Sequence, residues 1–290
     1  MSFHSFMFRI NAGRSDRKRD RVIDLPESIT QCRNISYGGH HKWNRLDVYY
    51  PEGTAGTLPT IISIHGGGYV YGTKEQYRRY CMDLARRGFA VVNFSYRLAP
   101  EWRFPTPLED ANAVLEWVCR NADIYHLDPH RLFLVGDSAG AQIASQYAAI
   151  ATNPDYAALF GFTVPEITVK ALGLNCGLYD AAALAAGKRK GIVRDYLDTH
   201  IPATDPRLQV LQNITDCYPA AHITTACGDF LRDNARPMAD FLRSKGIRVA
   251  VNCYGKDSEQ ELGHVFHVNI ALPEAAKCND DQCEFFRSFL

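Results

Sequence analysis

Gly136, Asp137, Ser138, Ala139 and Gly140 spell G-x-S-x-G between an apolar run, Leu132 to Val135, and a segment of helix-forming residues. That context predicts a strand, a tight bend and a helix, with Ser138 raised on the bend. Small residues flank such a serine because the bend brings the strand and helix backbones close together. A helix starting there turns free N–H groups and its positive dipole end toward the serine. A hydroxyl so placed can attack an acyl carbon; the inert alternative is a glycine-lined turn with a capping serine. His65, Gly66, Gly67, Gly68 and Tyr69 follow a second apolar run, TIISI. Three successive glycines are costly in backbone entropy, so the position calls for bare amides or positive φ. Such amides suit the oxygen of a tetrahedral intermediate, and the expected donors are Gly66 and Gly67 from this loop and Ala139 from the bend. A phosphate cradle is the other use of a glycine loop, but neither G-x-G-x-x-G nor a following Lys-Ser/Thr pair is present.

The elements that must position these groups alternate from residue 45 onward, the pattern of a mostly parallel sheet covered by helices on both faces. Strands are expected at 45–50, 60–66, 89–96, 131–137, 169–176, 222–229 and 248–255, with helices around 74–87, 107–120, 139–151, 231–245 and 279–289. Several strands are near-continuous apolar runs, as burial on both faces requires. Two stretches break the alternation. Residues 1–40 begin with Phe3, Phe6, Met7 and Ile10 at helical spacing and continue into a charged segment. Residues 181–213 insert a second helical pattern between two strands. A chain leaving the sheet at a strand's carboxyl end is placed to roof the crevice where open α/β sheets bind ligands. Both stretches are therefore read as cap segments, around a catalytic portion of 41–180 and 214–290.

Lys+Arg and Asp+Glu each number 32 in the 290 residues, so the formal net charge is zero. Such a chain exerts no long-range pull on nucleic acid or anionic lipid. Its apolar runs fall short of the ~20 residues a spanning helix needs. The 9 cysteines are odd in number and scattered, which argues for reduced thiols in a cytoplasmic setting and against a disulfide scaffold or a zinc cluster. At the N-terminus apolar residues precede basic ones, the reverse of a secretory signal.

HGGGY at 65–69, YRLAPEWRFPTPLEDA at 96–111, DPHRLFLVGDSAGA at 128–141, GDFLRD at 228–233 and GHVFH at 263–267 together resemble the hormone-sensitive-lipase-like family of α/β-hydrolase esterases. The resemblance covers roughly residues 45–290, with the motifs in the family's order. It implies an α/β-hydrolase fold with a mostly parallel eight-stranded sheet flanked by helices, a helical cap built from the N-terminus and an insertion, and hydrolysis of short acyl esters without cofactor or metal. Two departures, Ala141 after GDSAG and Val265 after the histidine where the family carries glycine, touch no reacting atom and bear on the shape of the acyl pocket.

A serine hydroxyl needs a histidine to take its proton, and that histidine needs a carboxylate to fix its tautomer. In this fold the chain order is Ser, then Asp or Glu, then His. Asp229 directly follows the strand HITTACG, at the carboxyl end where Ser138 is expected; Asp233 lies about a helical turn later, beside Arg232. His264 and His267 are the histidines downstream of Asp229. The family motifs select Asp229 and His264. Arg97, Glu101 and Asp110 are expected to brace the loop at 96–111 by ion pairs, behind the oxyanion loop. Tyr69 and Tyr71 are the expected substrate-contacting residues.

The reading is a serine carboxylesterase acting on a small-molecule ester, with no nucleic-acid partner and no membrane span. An amidase or formamidase of the same fold would use the same groups, and a non-catalytic small-molecule receptor could keep the fold. A homodimer is the one protein partner considered.

Overall fold

In the central strands successive side chains point to opposite faces, and both sets are apolar. Ile62, Ile64, Val92, Phe94, Leu132, Leu134, Leu172 and Leu174 enter one core cluster; Ile61, Val91, Phe133, Val135 and Ala171 enter another on the other side. A strand of that composition is stable only between two covering layers. The computed structural model describes residues 1–187, 189–256 and 262–290. Lys188, within the expected insertion, and 257–261, within the expected catalytic portion, lie outside the described residues.

The strands are β1 (Ile29–Ser36), β2 (Arg45–Pro51), β3 (Thr60–Ile64), β4 (Ala90–Ser95), β5 (Leu132–Asp137), β6 (Val169–Asn175), β7 (Ala220–Ala226) and β8 (Val249–Tyr254). They form one eight-stranded sheet in the order β1-β2-β4-β3-β5-β6-β7-β8. Strand β2 runs antiparallel to β1 and β4, and every later pairing is parallel. The helices are α1 (Phe3–Asp20), α2 (Lys74–Ala85), α3 (Thr106–Asn121), α4 (Ala139–Thr152), α5 (Pro154–Ala158), α6 (Ala181–Ala186), α7 (Ile192–Tyr196), α8 (Ala235–Ser244) and α9 (Pro273–Arg287). Helices α3, α4 and α8 supply apolar residues to the first cluster, and α2 and α9 to the second.

Two expectations are corrected here. Residues 29–36 were expected to belong with the rest of 1–40 to a cap segment, but they form the edge strand β1, so only the leading part of that stretch, including α1, lies outside the sheet. The strand ITQCRNIS is largely polar because it is covered on one edge only, and it lacks the apolar run that marks the interior strands. The last helix begins at Pro273, six residues before the expected start at 279, with proline at a first-turn position where its missing N–H costs nothing. No helix among the described residues is long and apolar enough to cross a membrane.

Helix α2 carries the end of the glycine loop, and its N-terminus is tied to the antiparallel strand by a buried ion pair. Lys74 Nζ lies 2.9 Å from Asp47 Oδ1, with side-chain exposures of 4% and 0%. The Lys74 carbonyl also accepts a hydrogen bond from Asn93 Nδ2 on β4 at 2.8 Å. A carboxylate stripped of its cation inside a protein loses several kcal/mol. Arg33, 3.5 Å from the other oxygen of Asp47, offsets part of the loss. Lys74→Met is therefore expected to lower stability by about 3 kcal/mol, the lower end of that range. Urea denaturation of both proteins measures it, and an unchanged midpoint would remove this pair from the framework of the loop.

Candidate active site

Ser138 sits at φ 52°, ψ −117°, a conformation that L-residues avoid, between the last residue of β5 and the first of α4. The two glycines of the motif make that bend sterically possible. A Cβ on Gly136 would lie 2.3 Å from the Gly140 carbonyl oxygen, and one on Gly140 would lie 2.1 Å from the Ile64 carbonyl oxygen. Ser138 N–H donates to the Asn175 carbonyl at 3.0 Å, which ties the bend to the end of β6.

The expected acid and base meet. His264 Nδ1 and Asp229 Oδ1 are 2.7 Å apart. A carboxylate only accepts, so Nδ1 carries the proton, and the lone pair is left on Nε2. Leu231 N–H donates to Asp229 Oδ1 at 2.9 Å, and the Thr225 hydroxyl donates to Oδ2 at 3.0 Å. Burial pushes the Asp229 carboxyl up, but the hydrogen bonds from His264 and Leu231 outweigh it and hold the group below the ordinary carboxylate range. The rivals are elsewhere. Asp233 is fully exposed beside Arg232, and His267 is buried against Tyr80 with its ring lowered to about 3 by burial.

Ser138 and His264 line one cavity of about 360 Å³, together with Gly67, Gly68, Tyr69, Tyr71, Ala139 and Phe230. Among the described residues the Ser138 hydroxyl donates to no protein atom, and its link to His264 is not closed.

The amide donors differ from expectation at one position. Gly66 N–H is committed to the Tyr77 hydroxyl at 3.0 Å, and that hydroxyl donates onward to Asp137 Oδ2 at 2.8 Å. Gly66 therefore braces the loop and is not a free donor. The N–H groups of Gly67, Gly68 and Ala139 donate to no protein atom among the described residues. Gly67 takes φ +104°, and a Cβ there would lie 2.1 Å from the Tyr71 carbonyl oxygen, so the loop accepts only glycine at that position. Behind it, the His65 ring stacks on Tyr96 with centroids 4.0 Å apart, and the Tyr96 hydroxyl donates to the His65 carbonyl at 3.1 Å.

Arg97 and Asp110 pair at 2.8 Å as expected, and Arg97 N–H donates to Asp110 at 2.7 Å. Glu101 departs from expectation: it faces Arg9 of α1 at 3.7 Å. Tyr69 lies flat on Tyr196 of α7, ring centroids 3.6 Å apart, and its hydroxyl donates to Gln142 at 3.1 Å. The Tyr71 hydroxyl donates to Asp16 of α1 at 2.7 Å. Both tyrosines thus join the cavity wall to α1 and α7. Val265, where the resembled family carries glycine, lines the cavity at φ +60°, a region a β-branched residue rarely enters.

Sequence reasoning missed Tyr77, Thr225 and Gly68. The i, i+3 pair Tyr77 and Tyr80 marks the inward stripe of α2, but nothing local to it points to Asp137, sixty residues away. It also missed Cys176, which with Asp229 and His264 forms a group whose donor atoms lie within 4.8 Å of one another. The 2.7 Å separation of Asp229 and His264 is that of a direct hydrogen bond between them.

Burial raises the Asp137 carboxyl to about 7, and the Tyr77 hydroxyl offsets only part of that. An unfolded aspartate titrates near ~3.9, so the folded state binds this proton more tightly. The contribution of the group to stability is then full below about pH 4 and is withdrawn as the pH rises through about 7. Asp137→Asn removes the titration while keeping an acceptor for Tyr77. The stability of the variant relative to the parent is expected to improve between about pH 5 and about pH 8.5, as read by urea unfolding at both values. A difference independent of pH would mean that Asp137 stays ionised throughout.

Residues 61–268 match the model of a family described as alpha/beta hydrolase fold. The chain is 28% identical over 275 residues to carboxylesterase NlhH of Mycobacterium tuberculosis, covering 87% of this chain and 80% of that protein. It is 35% identical over 123 residues to ethyl acetate hydrolase of Pseudomonas putida, covering 42% of this chain and 39% of that protein, so it spans well under half of that relative. Its structure is similar to that of a hyperthermophilic esterase from Pyrobaculum calidifontis, with TM-score 0.77, 25% identity and coverage of 99% of this chain and 91% of that one. Esterase B from Lactobacillus rhamnosis has the same fold, with TM-score 0.90 at 24% identity over 98% of this chain and 94% of that one. The chain belongs to the alpha/beta hydrolase fold family, in the hormone-sensitive-lipase-like branch that its motifs resemble.

Proposed function

We propose that the protein is a serine carboxylesterase that hydrolyses short-chain acyl esters through an acyl-enzyme. The observation that carries the reading is the 2.7 Å hydrogen bond between Asp229 and His264, which lines the same cavity as Ser138 on its strained bend. In this reading Ser138 Oγ attacks the ester carbonyl carbon while His264 Nε2 takes its proton, and Asp229 holds the imidazole and steadies its charge. The carbonyl oxygen becomes an oxyanion facing the amides of Gly67, Gly68 and Ala139. His264 then returns the proton to the departing alkoxide, and the alcohol leaves. Water, deprotonated by His264, attacks the acyl-serine and releases the acid. No cofactor or metal has a step in this sequence.

Helix α1 and the 181–213 segment act as the cap in this reading. Phe8, Ala12, Leu184, Ile192 and Val193 contribute to the lining of the cavity, which supports it. Tyr69 and Tyr71 then shape the substrate wall rather than bond to substrate, because their hydroxyls are engaged by Gln142 and Asp16. The free thiols support a reducing, cytoplasmic setting. The balanced charge supports small-molecule esters over nucleic acid as partners. The names of the relatives favour ester over amide, and matched p-nitrophenyl butyrate and butyranilide compare the two directly.

Ser138→Ala is expected to lower kcat on p-nitrophenyl butyrate by about 10⁴- to 10⁶-fold, and Asp229→Asn by about 10⁴-fold. A fluorophosphonate probe should label the parent at Ser138 and leave the alanine variant unlabelled. A Ser138→Ala protein as active as the parent ends the reading. Val265→Gly removes the side chain that crowds the cavity beside His264, so kcat/KM for the octanoate ester should rise relative to butyrate; an unchanged ratio would take Val265 out of the acyl pocket.

A further inference from the structure

Helix α1 has two faces of different character. Phe8, Ala12, Asp16 and Arg19, spaced by four, four and three residues, line the cavity. On the opposite side Phe3, Phe6, Ile10, Arg14 and Arg17 recur at three- and four-residue intervals, and Arg21 continues the stripe just past the helix. Phe3 is 74% exposed and Phe6 47%, and Met1 beside them is 56% exposed. Arg14, Arg17, Lys18 and Arg21 are exposed as well. The outward stripe is therefore apolar in its first half and cationic in its second.

The acids of the helix do not neutralise that stripe. Asp16 accepts from Tyr71 and pairs with Arg19, and Asp20 pairs with Arg19 and Arg79, all on the inward side. Glu101, from the neighbouring loop, faces Arg9. Met1, Phe6, Arg9, Ile10, Arg14 and Arg17 also form a shallow concavity on this surface. A single exposed phenylalanine is ordinary on a protein surface. Two exposed phenylalanines at one end of a helix face and a run of exposed cations at the other let the helix tip its apolar end into a bilayer while the cations stay at the headgroups.

We propose that the outward face of α1 docks on an anionic lipid bilayer. Phe3 and Phe6 enter the boundary between headgroups and acyl chains, and Arg14, Arg17, Lys18 and Arg21 meet the headgroup phosphates and carboxylates. The zero net charge of the chain confines the attraction to this helix, so contact is peripheral, oriented and sensitive to salt. Because the same helix walls the cavity, docking holds the cavity beside a surface where apolar esters collect. The surface itself does not depend on the chemistry assigned to the cavity.

The test is co-sedimentation of the full chain with vesicles of phosphatidylcholine alone and vesicles containing roughly one-third phosphatidylserine. Binding is expected to the anionic vesicles at low salt, and to be at least about tenfold weaker for neutral vesicles or at about 0.5 M NaCl. Two variants separate the components: Phe3→Ser with Phe6→Ser, and Arg14→Gln with Arg17→Gln and Lys18→Gln. Each is expected to weaken binding at least about tenfold while thermal unfolding and hydrolysis of a soluble p-nitrophenyl ester stay at the parent's level. No binding by the parent, or equal binding to both vesicles, overturns the proposal. Loss in the charge variant alone overturns it too, since adsorption would then be electrostatic without insertion. Sedimentation velocity covers the remaining occupant: a dimer that the Phe3→Ser, Phe6→Ser variant dissolves, with no vesicle binding, would make the face an interface between copies.

Discussion

The bend at Ser138 is the constraint on which the rest of the site depends. A side chain can stand above the sheet at φ 52° only if the strand before it and the helix after it come into backbone contact, and that contact requires bare Cα positions at Gly136 and Gly140. The Ile64 carbonyl that a Gly140 side chain would strike belongs to β3, the strand that feeds the glycine loop. The same close approach therefore fixes the serine against the strand whose loop carries Gly67 and Gly68 into the lining of the same cavity. Strain of order 1–3 kcal/mol at such a residue persists because the surrounding sheet over-determines it.

A second layer of polar contacts holds that geometry from beneath. The hydrogen bonds from Gly66 N–H to Tyr77 and from Tyr77 to Asp137 link the glycine loop, α2 and the residue just before the bend in one buried line. Asp137 pays for its place there in desolvation, which is why its carboxyl is raised while Asp229, with three donors around it, is held low. Two aspartates in one site are thus driven in opposite directions by burial and by hydrogen bonding. The one with its donors in place is the one that orients the histidine in the proposed mechanism.

The parts of the structure that follow from local pattern were legible in the residues. Interior strands announce themselves as apolar runs, and the bend as glycines around a serine. The order of Ser138, Asp229 and His264 along the chain follows from the order of the strands. Parts that depend on a distant partner were not legible. Gly66 reads as a free amide until the fold sets Tyr77 against it, and Glu101 reads as one of the ion pairs within the 96–111 loop until α1 supplies Arg9. Strand β1 escaped because an edge strand with one neighbour needs no apolar run. Val265 is the reverse case: its departure from the family's glycine was legible, but its left-handed backbone in the cavity wall was not.

Helix α1 connects to the rest of the chain by directional contacts. Tyr71 reaches Asp16, Arg9 reaches the carbonyls of Val70 and Ala99, and Ser2 N–H reaches Asp195 of α7 at 2.7 Å. These ties end on the segment that follows the glycine loop, on the loop after β4 and on the 181–213 segment, while Arg19 reaches the Gln76 carbonyl of α2 and Asp20 pairs with Arg79, so α1 is registered against the cavity it lines and against the helix beside it. A helix held in this way can expose its other face without loss to the core, which is the condition under which an apolar and cationic stripe survives on the surface of a chain whose overall charge is zero.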